Sequence, residues 1–326
     1  MRESAQISVI KPGWFTTVQD LGRVGFQQFG MPVSGAMDRR SLIIANRLVG
    51  NRDQDAALEV TFKGPELLFN IDTEFAIAGA DLSPFINGRP IPAWTTVEIR
   101  TGDRLSFGAR RNGARCYLAV TGGFIVPEVL GSRSTHVASK TGGMEGRALI
   151  AGDILMSGLP ITLRKQYRNR IFPANLRPIY STFQELRIIS GPQAEAFSSD
   201  AFATLTSSTY RISGHSDRMG YRLEGPILGC RGKPPSISDG TAMGVLQVPA
   251  DGQPILLMAD RHTTGGYPKI GVVITADLHL AAQLLPGETI RFARTTFVKA
   301  QQAMKSQWEE LERALPPTKV NAPLSK

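Results

Sequence analysis

The stretch from Gly244 to Ile270, GVLQVPADGQPILLMADRHTTGGYPKI, places the tightest limits on the fold of this chain. Two apolar runs in it, Gly244 to Val248 and Pro254 to Met258, are too short for helices and are bounded by turn residues. Both are therefore predicted to be β-strands. The Asp251-Gly252 pair between them is a turn signal, so the segment predicts two strands followed by a polar loop.

This polar loop runs from Asp260 to Pro268 and concentrates reactive side chains. It carries a carboxylate, a guanidinium, an imidazole, two hydroxyls and a phenol around Gly265-Gly266. Paired glycines let the backbone approach a ligand closely, and loops on a rigid scaffold commonly carry function. A tight polar corner, in which Thr and Asp side chains cap backbone groups, is the alternative interpretation, and the residue types leave both open.

Short apolar runs separated by turns cover most of the chain. The sequence has 33 glycines and 21 prolines, and its hydrophobic content of 42% is enough for extensive cores. The two clearest helical patterns are Met37 to Val49 and Phe297 to Leu315. The sequence therefore predicts an all-β fold with few helices, built as closed barrels or sandwiches.

A weak internal repeat predicts two related β-domains. Arg100 to Phe107 is echoed by Leu285 to Phe292, and Leu58 to Pro65 is echoed by Arg222 to Pro226, in the same order. We place the join between Leu163 and Arg187. The predicted division is a first domain over residues 1–170, a second over 171–296, and a C-terminal helix with a disordered tail over 297–326.

Composition excludes several classes of protein. The formal net charge is +9, but there is no run of five or more basic residues and no interleaved aromatic ladder, so nucleic-acid binding is not expected. No apolar run approaches the ~18 residues that a membrane span needs. The N-terminus has no signal-peptide pattern. Cys116 and Cys230 lack metal-ligand spacing, which favours a reducing compartment, and we expect a cytoplasmic protein.

Charged residues near Gly220 allow two interpretations. Arg218 and Arg222 lie four residues apart and are placed to clamp a carboxylate with paired hydrogen bonds. Pairing with Asp217 and Glu224, which would only brace the domain, stays equally open. The four histidines form no i,i+4 pair and no HExxH motif, so no metal site is predicted. There is also no GxSxG elbow and no phosphate loop ending in Gly-Lys-Ser/Thr.

A series of longer motifs runs in unbroken order from about Ile7 to Phe292. The motifs are PGWFTTVQDLGRVGFQQFGMPVSGAMD, ANRLVGN, ALEVTFKGP, YLAVTGG, VLGSRST, GGMEGRALIAGD, SDRMGYRLEG, GVLQVP, DGQPILLMAD and TTGGYPKI. Together they resemble the family of allophanate hydrolase subunit 2, the KipA-like proteins, whose domain also forms part of the carboxyltransferase in urea amidolyase. The resemblance covers nearly the whole chain and is far more specific than any single motif.

The resemblance implies a fold and a function. The fold is a pair of tandem cyclophilin-like β-barrels. The function is that of one component of an ATP-dependent 5-oxoprolinase, which opens the lactam of 5-oxoproline to glutamate. The implied partners are a KipI-like protein, corresponding to allophanate hydrolase subunit 1 or the B subunit of 5-oxoprolinase, and the A subunit of 5-oxoprolinase. ATP is then used by the complex, and the isolated chain is expected to be inactive.

The resemblance also keeps two other functions open. One is a carboxyltransferase that moves CO₂ from carboxybiotin to an amide or urea nitrogen. This chain has no Met-Lys-Met biotin-acceptor segment, so biotin is not expected on it. The other is a non-enzymatic regulator that binds a KipI-like inhibitor of a histidine kinase.

We predict that one groove collects the functional residues. Arginines would bind phosphoryl and carboxylate groups, the Thr-Thr-Gly-Gly backbone and hydroxyls would stabilise oxyanions, and an aspartate would orient water or act as a base. The predicted catalytic residues are Asp20, Arg23, Arg218, Asp260 and Thr264. The predicted substrate-binding residues are Gln19, Tyr221, Arg222, Gln247, Thr263, Gly265 and Tyr267.

Overall fold

The structure is a computed structural model that describes residues 5–158, 169–231 and 238–318. The chain divides into two compact units. The first consists of the N-terminal residues to Gly22, Arg39–Arg177 and the residues from Glu309, and the second consists of Arg23–Asp38 and Pro178–Trp308.

The boundary after Arg177 lies within the stretch predicted for the join, but the units are not contiguous in sequence. Residues 23–38 belong to the second unit, and the end of the C-terminal helix belongs to the first. The sequence repeat could not reveal that these two segments belong to the other unit, because their assignment depends on contacts between residues far apart in the chain. Of the tail predicted to be disordered, residues 319–326 lie outside the described residues.

Among its described residues, the first unit contains one α-helix and two sheets. Its elements are β1 (Ala5–Lys11), β2 (Phe15–Gln19), α1 (Arg39–Leu48), β3 (Ala57–Thr61), β4 (Glu66–Phe69), β5 (Thr73–Asp81), β6 (Pro84–Ile86), β7 (Arg89–Pro90), β8 (Thr96–Ile99), β9 (Arg104–Phe107), β10 (Asn112–Val120), β11 (Phe124–Ile125) and β12 (Ile154–Ser157). One sheet has the order β11-β12-β1-β4-β9-β6-β7, and the other has the order β2-β3-β10-β5-β8.

The core of the first unit follows the two-residue period of its strands. Leu58 on β3 and Leu118 on β10 are fully buried in one apolar cluster, to which both sheets contribute. The other face of the same sheet is also buried, and it carries polar residues among alanines. There Tyr117 donates its hydroxyl to Glu59 Oε2 at 2.7 Å, which satisfies both buried groups.

The second unit is a closed barrel with three helices. Its elements are β13 (Phe183–Ser190), α2 (Ala201–Ser207), β14 (Thr209–Ile212), β15 (Gly220–Glu224), β16 (Asp239–Gly240), β17 (Val245–Gln247), β18 (Ile255–Leu257), β19 (Thr264–Gly265), β20 (Lys269–Val273), α3 (Leu278–Ala281), β21 (Thr289–Arg294) and α4 (Phe297–Ala314), whose last residues belong to the first unit. The barrel order is β13-β20-β17-β18-β15-β14-β21, and it closes by parallel pairing of β21 with β13.

The fold class predicted from the sequence, all-β with few helices, is confirmed, and so is its cyclophilin-like barrel character. The two strands predicted in the opening segment are β17 and β18, which pair with Leu246 opposite Leu256. Both predicted helices are present as α1 and α4. Within the part of the chain that the structure describes, no helix is long and apolar enough to cross a membrane.

The repeat noticed in the sequence marks equivalent turns in the two units. Before β9, the Arg100 amide donates to Asp103 Oδ2 at 2.9 Å, and before β21 the Leu285 amide donates to Glu288 Oε2 at 2.9 Å. The intervening Gly102 and Gly287 have φ values of 90° and 89°, which L side chains rarely adopt. The same Gly-acid pair therefore forms the turn before β9 in the first unit and the turn before β21 in the second.

Candidate functional site

Arg218 and Asp260 form a buried ion pair at the base of the predicted site loop. The guanidinium Nε donates to Oδ2 at 2.8 Å and Nη2 donates to Oδ1 at 3.1 Å. Their side chains are only 10% and 9% exposed. The backbones are joined as well, because the Asp260 amide donates to the Arg218 carbonyl oxygen at 2.8 Å. Paired side-chain hydrogen bonds of this kind, reinforced by a backbone one, fix the orientation of both side chains.

The same pair holds the 23–38 segment inside the second unit. Ser34 donates its hydroxyl to Asp260 Oδ1 at 2.7 Å, and Arg218 Nη2 donates to the Gly35 carbonyl oxygen at 2.6 Å. Two residues on, Met37 enters the apolar core of the barrel. The adjacent Asp38 accepts a hydrogen bond from Gln283 Nε2 at 2.8 Å.

These contacts use most of the hydrogen-bonding capacity of Arg218 and Asp260, so little of it remains for a substrate. Asp260 already accepts three hydrogen bonds on its carboxylate, and Arg218 donates both to Asp260 and to a backbone carbonyl oxygen. A base needs a free lone pair, and a clamp needs free N–H donors. The geometry therefore favours a bracing role for Arg218, but its partner is Asp260 and not Asp217 or Glu224 as the sequence suggested. The catalytic assignment of Arg218 and Asp260 stays a prediction.

Asp20 has a comparable structural environment in the first unit. Its carboxylate accepts hydrogen bonds from Ser132 Oγ at 2.7 Å, from the Arg133 amide at 2.6 Å, from Ser134 Oγ and from the Gly22 amide at 2.7 Å. The residue is 6% exposed. Asp20 thereby anchors the glycine-rich segment that precedes His136, a cluster that the sequence shows only as a separate motif.

Gln19 lies beside this anchor and is fully buried. Its Nε2 donates to Thr17 Oγ1 and to the Thr135 carbonyl oxygen, both at 3.0 Å, while Oε1 has no hydrogen-bond partner among the described residues. Arg23, in the second unit, is 1% exposed and its amide donates to the Val33 carbonyl oxygen at 2.8 Å. The predicted roles of Gln19, Asp20 and Arg23 stay predictions.

A cavity of about 210 Å³ lies beside the polar loop of the second unit. Its lining residues are Gln193, Asp239, Gly265, Gly266, Tyr267, Pro268 and Lys269. The short strand β16 forms one wall by pairing with β19, which places Asp239 opposite Gly265. The structure thus brings two of the predicted substrate-binding residues, Gly265 and Tyr267, to a concave surface.

Lys269 supplies the cation of this cavity; it lies in the TTGGYPKI motif but was not among the predicted site residues. Although it is only 3% exposed, its ammonium donates to Asp239 Oδ2 and to the Gly240 carbonyl oxygen, both at 2.8 Å. The hydrogen bond from Lys269, together with the Gly240 amide, holds the pKa of the Asp239 carboxyl below its ordinary value. The sequence signal that could have identified Lys269 is its place in the apolar run after Pro268, because a charged group buried there needs a partner.

Gln247 lies directly beneath the glycine pair. A Cβ atom on Gly265 would come within 2.5 Å of Gln247 Nε2, so a larger residue there would displace this amide. Gln247 is 5% exposed, and its amide nitrogen also approaches the Tyr267 carbonyl oxygen at 3.5 Å. These contacts place Gln247 beside the polar loop, and its predicted substrate-binding role stays a prediction.

The hydroxyl residues of the loop lie at its surface. Thr264 is exposed on β19, and the carbonyl oxygen of Thr263 accepts a hydrogen bond from the Thr241 amide at 3.0 Å. Tyr267 is 52% exposed at the edge of the cavity. Thr263 and Thr264 do not line the cavity, so their assignment remains a prediction.

Tyr221 and Arg222 do not share a surface. They are neighbours on β15, and successive side chains of a strand point to opposite faces. Tyr221 is 2% exposed in the barrel core, where its hydroxyl donates to the Leu284 carbonyl oxygen at 3.4 Å, whereas Arg222 is exposed. One groove therefore does not take both side chains, and the prediction of a single groove needs correction at this strand.

The remaining predicted residues fall into local clusters. Gln19 and Asp20 belong to the first unit, and the other ten belong to the second. Within the second unit, Arg218 joins Asp260, while Gln247 joins Gly265 and Tyr267. Among the described residues, no group of three or more His, Cys, Asp or Glu side chains is arranged to hold a metal ion.

Comparison with known families gives a match over most of this architecture. Residues 29–294 match the family described as carboxyltransferase domain, subdomain A and B. The chain belongs to this family. The match includes the barrel, the Arg218–Asp260 pair and the whole cavity, whereas Gln19, Asp20 and Arg23 lie before its first residue.

The relatives fall into two groups, those that match this chain over nearly their whole length and those that match it over a small part. The C subunit of the 5-oxoprolinase of Escherichia coli strain K12 is 37% identical over 307 residues, which are 94% of this chain and 97% of the relative. The urea amidolyase of Lachancea kluyveri is 34% identical over 93% of this chain, but the match spans only 18% of that protein. The crystal structure of the K. lactis urea amidolyase superposes with a TM-score of 0.90 at 31% identity, over 97% of this chain and 20% of that one.

Proposed function

We propose that this chain is the C subunit of an ATP-dependent 5-oxoprolinase, which opens 5-oxoproline to glutamate. The observation that carries the proposal is the end-to-end match with the C subunit of the E. coli 5-oxoprolinase, which leaves almost no part of either chain unmatched. The urea amidolyase relatives carry this domain within chains several times longer.

The chemistry requires more than this chain supplies. A lactam carbonyl is a poor electrophile, and ATP provides the activation of its oxygen in the complex. The sequence has no phosphate loop ending in Gly-Lys-Ser/Thr, so we place ATP binding on a partner protein. The partners we propose are the KipI-like B subunit and the A subunit of the same enzyme, and the site of action is the cytoplasm.

This chain's own contribution is then to bind and orient the small substrate. The cavity beside Lys269 combines an ammonium, a carboxylate and an amide within a small volume. Orientation of a substrate against an activating group accounts for a large part of many enzymatic rate enhancements. A protein that only positions substrate has no measurable turnover alone, which is the behaviour we expect here.

The test is reconstitution. Purified chain, alone and with its two partner proteins, is supplied with 5-oxoproline and ATP, and glutamate release is measured. We expect release only from the complete mixture, and loss of release when this chain is left out. Glutamate release that is unchanged without this chain contradicts the proposal, and release by this chain alone contradicts its dependence on partners.

The second candidate is a carboxyltransferase that uses carboxybiotin, because the structural match with the K. lactis urea amidolyase is close. It predicts carboxylation of urea or an amide when a biotinylated carrier and its carboxylase are added. The sequence lacks a Met-Lys-Met acceptor, so biotin would have to come from another chain. Binding of a KipI-like protein without either activity would instead indicate a regulator.

A further inference from the structure

We propose that the cavity beside β16 and β19 is a binding site for the neutral amide group of a small ligand. The amide carbonyl oxygen accepts a hydrogen bond from Lys269, and the amide N–H donates to Asp239. Choosing 5-oxoproline as the natural ligand rests on the proposed function above. The amide chemistry itself rests on the cavity.

The first observation is that the buried ammonium of Lys269 has more N–H donors than acceptors among the described residues. Lys269 Nζ carries three N–H groups, and the described residues provide two acceptors, Asp239 Oδ2 and the Gly240 carbonyl oxygen. Taking an ammonium out of water is costly, and a pair of this kind is commonly no more stabilising than apolar residues in the same place. A third acceptor from a ligand would complete the coordination of the ammonium at the cavity wall.

The second observation is the charge balance of the site. The lining residues hold one ammonium and one carboxylate, so the cavity is formally neutral. A site for a phosphate or another multiply charged anion collects an excess of cations and backbone N–H groups. A neutral group that has an acceptor and a donor side by side, as an amide has, matches an adjacent ammonium and carboxylate.

The third observation is how the carboxylate is positioned. Asp239 is 59% exposed on its side chain, yet it is tied to Lys269 at 2.8 Å and hydrogen-bonds Gln193. Gln193 in turn accepts a hydrogen bond from the Lys269 amide at 3.2 Å. The carboxylate therefore has a fixed direction and still has free lone pairs on the open side.

The fourth observation is space. A cavity of about 210 Å³ is many times the ~10–15 Å³ that holds one water, so it has room for a five-membered ring with one substituent. Gly265 and Gly266 contribute no side chains, so a flat ring can lie against the backbone. The Gln247 amide beneath Gly265 closes that side.

The test separates the amide from the carboxylate of the substrate. The full-length chain is titrated with 2-pyrrolidinone, which has the lactam alone, and with cyclopentanecarboxylate, which has the carboxylate alone, and binding is followed by ligand-observed NMR. The same titrations are run on Lys269→Met and Asp239→Asn. The control is Lys11→Met, which breaks the exposed Lys11–Glu66 pair, also 2.8 Å long, in the first unit.

We expect wild type and the Lys11→Met control to bind 2-pyrrolidinone, and both cavity variants to bind it about tenfold more weakly or not at all, as loss of a charge-assisted hydrogen bond would produce. Asp239 is exposed, so Asp239→Asn tests the site even if Lys269→Met folds poorly. Binding of cyclopentanecarboxylate alone, or of neither compound by wild type, overturns the proposal.

In the reconstituted complex, the cavity variants are expected to raise the KM for 5-oxoproline while the KM for ATP is unchanged. A complex that releases no glutamate with the wild-type chain disproves the proposed function, but it leaves the 2-pyrrolidinone result standing. Weak 2-pyrrolidinone binding that both variants retain disproves the amide site, but it leaves the proposed function standing. The two failures are therefore distinguishable.

Discussion

Arg218 and Asp260 are joined by three hydrogen bonds, two between their side chains and one between their backbones. We expect Arg218→Ala to lower the free energy of unfolding by about 3–5 kcal/mol, because it leaves the Asp260 carboxylate buried without its partner. Urea denaturation measures this directly. The sequence-based hypothesis of a catalytic Arg218 predicts the opposite, a large loss of activity in the complex with little change in Tm.

Arg222→Ala is the matched control, since Arg222 is an exposed arginine on the nearby strand β15. Its unfolding free energy should change by less than about 0.5 kcal/mol. The double variant Arg218→Ala/Asp260→Ala should cost less than the sum of the single variants, because removal of both charges leaves neither unpaired. Additive costs would show that the two side chains are not coupled.

Gly265→Ala tests the contact with Gln247. The new Cβ would lie 2.5 Å from Gln247 Nε2, so the amide must move away from Gly265, which lines the cavity. Because a flexible side chain can shift, we expect a Tm close to wild type but weakened binding at the cavity. Gly240→Ala is the control, since nothing lies within 4 Å of a Cβ there. Equal effects of the two variants on binding would refute the role of this contact.

Asp20→Asn tests the anchor of the glycine-rich segment in the first unit. The new NH₂ group would face the donors that Asp20 now accepts from, chiefly Ser132 Oγ and the Arg133 amide. One buried unsatisfied donor costs about 1–3 kcal/mol, so we expect a loss of that size in urea denaturation. Glu128→Gln should be nearly neutral, because Glu128 is 52% exposed in its pair with Arg133. A neutral Asp20→Asn with lost activity would support the catalytic prediction.

The Arg147–Asp153 pair predicts a particular dependence of stability on pH. The Arg147 hydrogen bonds, with the Ile150 amide, hold the pKa of Asp153 below its ordinary value. A lowered folded-state pKa gives stability that is fully present above the unfolded value of about 3.9 and is lost as pH falls through the folded value. The stability gap between wild type and Asp153→Asn should therefore be constant near neutral pH and shrink in acid. A gap that widens in acid would contradict this assignment.

The two cysteines should differ in reactivity. Cys116 is fully buried in β10, and burial raises the pKa of its thiol. Cys230 is partly exposed, and burial raises its thiol pKa as well, so it should react slowly with a disulfide reagent at neutral pH. We expect one thiol to react in the folded chain and the second only on unfolding. In Cys230→Ser the folded-state reaction should disappear; its persistence would mean that Cys116 is accessible.

The sequence by itself determined the local elements of this protein. Short apolar runs between turn residues specified the strands, and the Gly-acid pairs specified the turns before β9 and β21, because each acid caps an amide only three residues away. Such contacts need no partner from elsewhere in the chain, so their signal is complete within a short window. The family motifs also predicted the fold class, and the closed barrel confirms it.

Only the tertiary structure decided which polar groups remain available. Asp260 meets Arg218 from 42 residues away and Ser34 from 226, and Asp20 meets Ser132 from 112. Hydrogen bonds from those partners use the carboxylate oxygens of Asp260 and Asp20, which the sequence alone predicts to be available for catalysis. Lys269 and Asp239, 30 residues apart, instead meet at a cavity. The physical reason is that a polar residue's role is fixed by the partners and the burial it finds after folding, and neither is encoded in its neighbours along the chain.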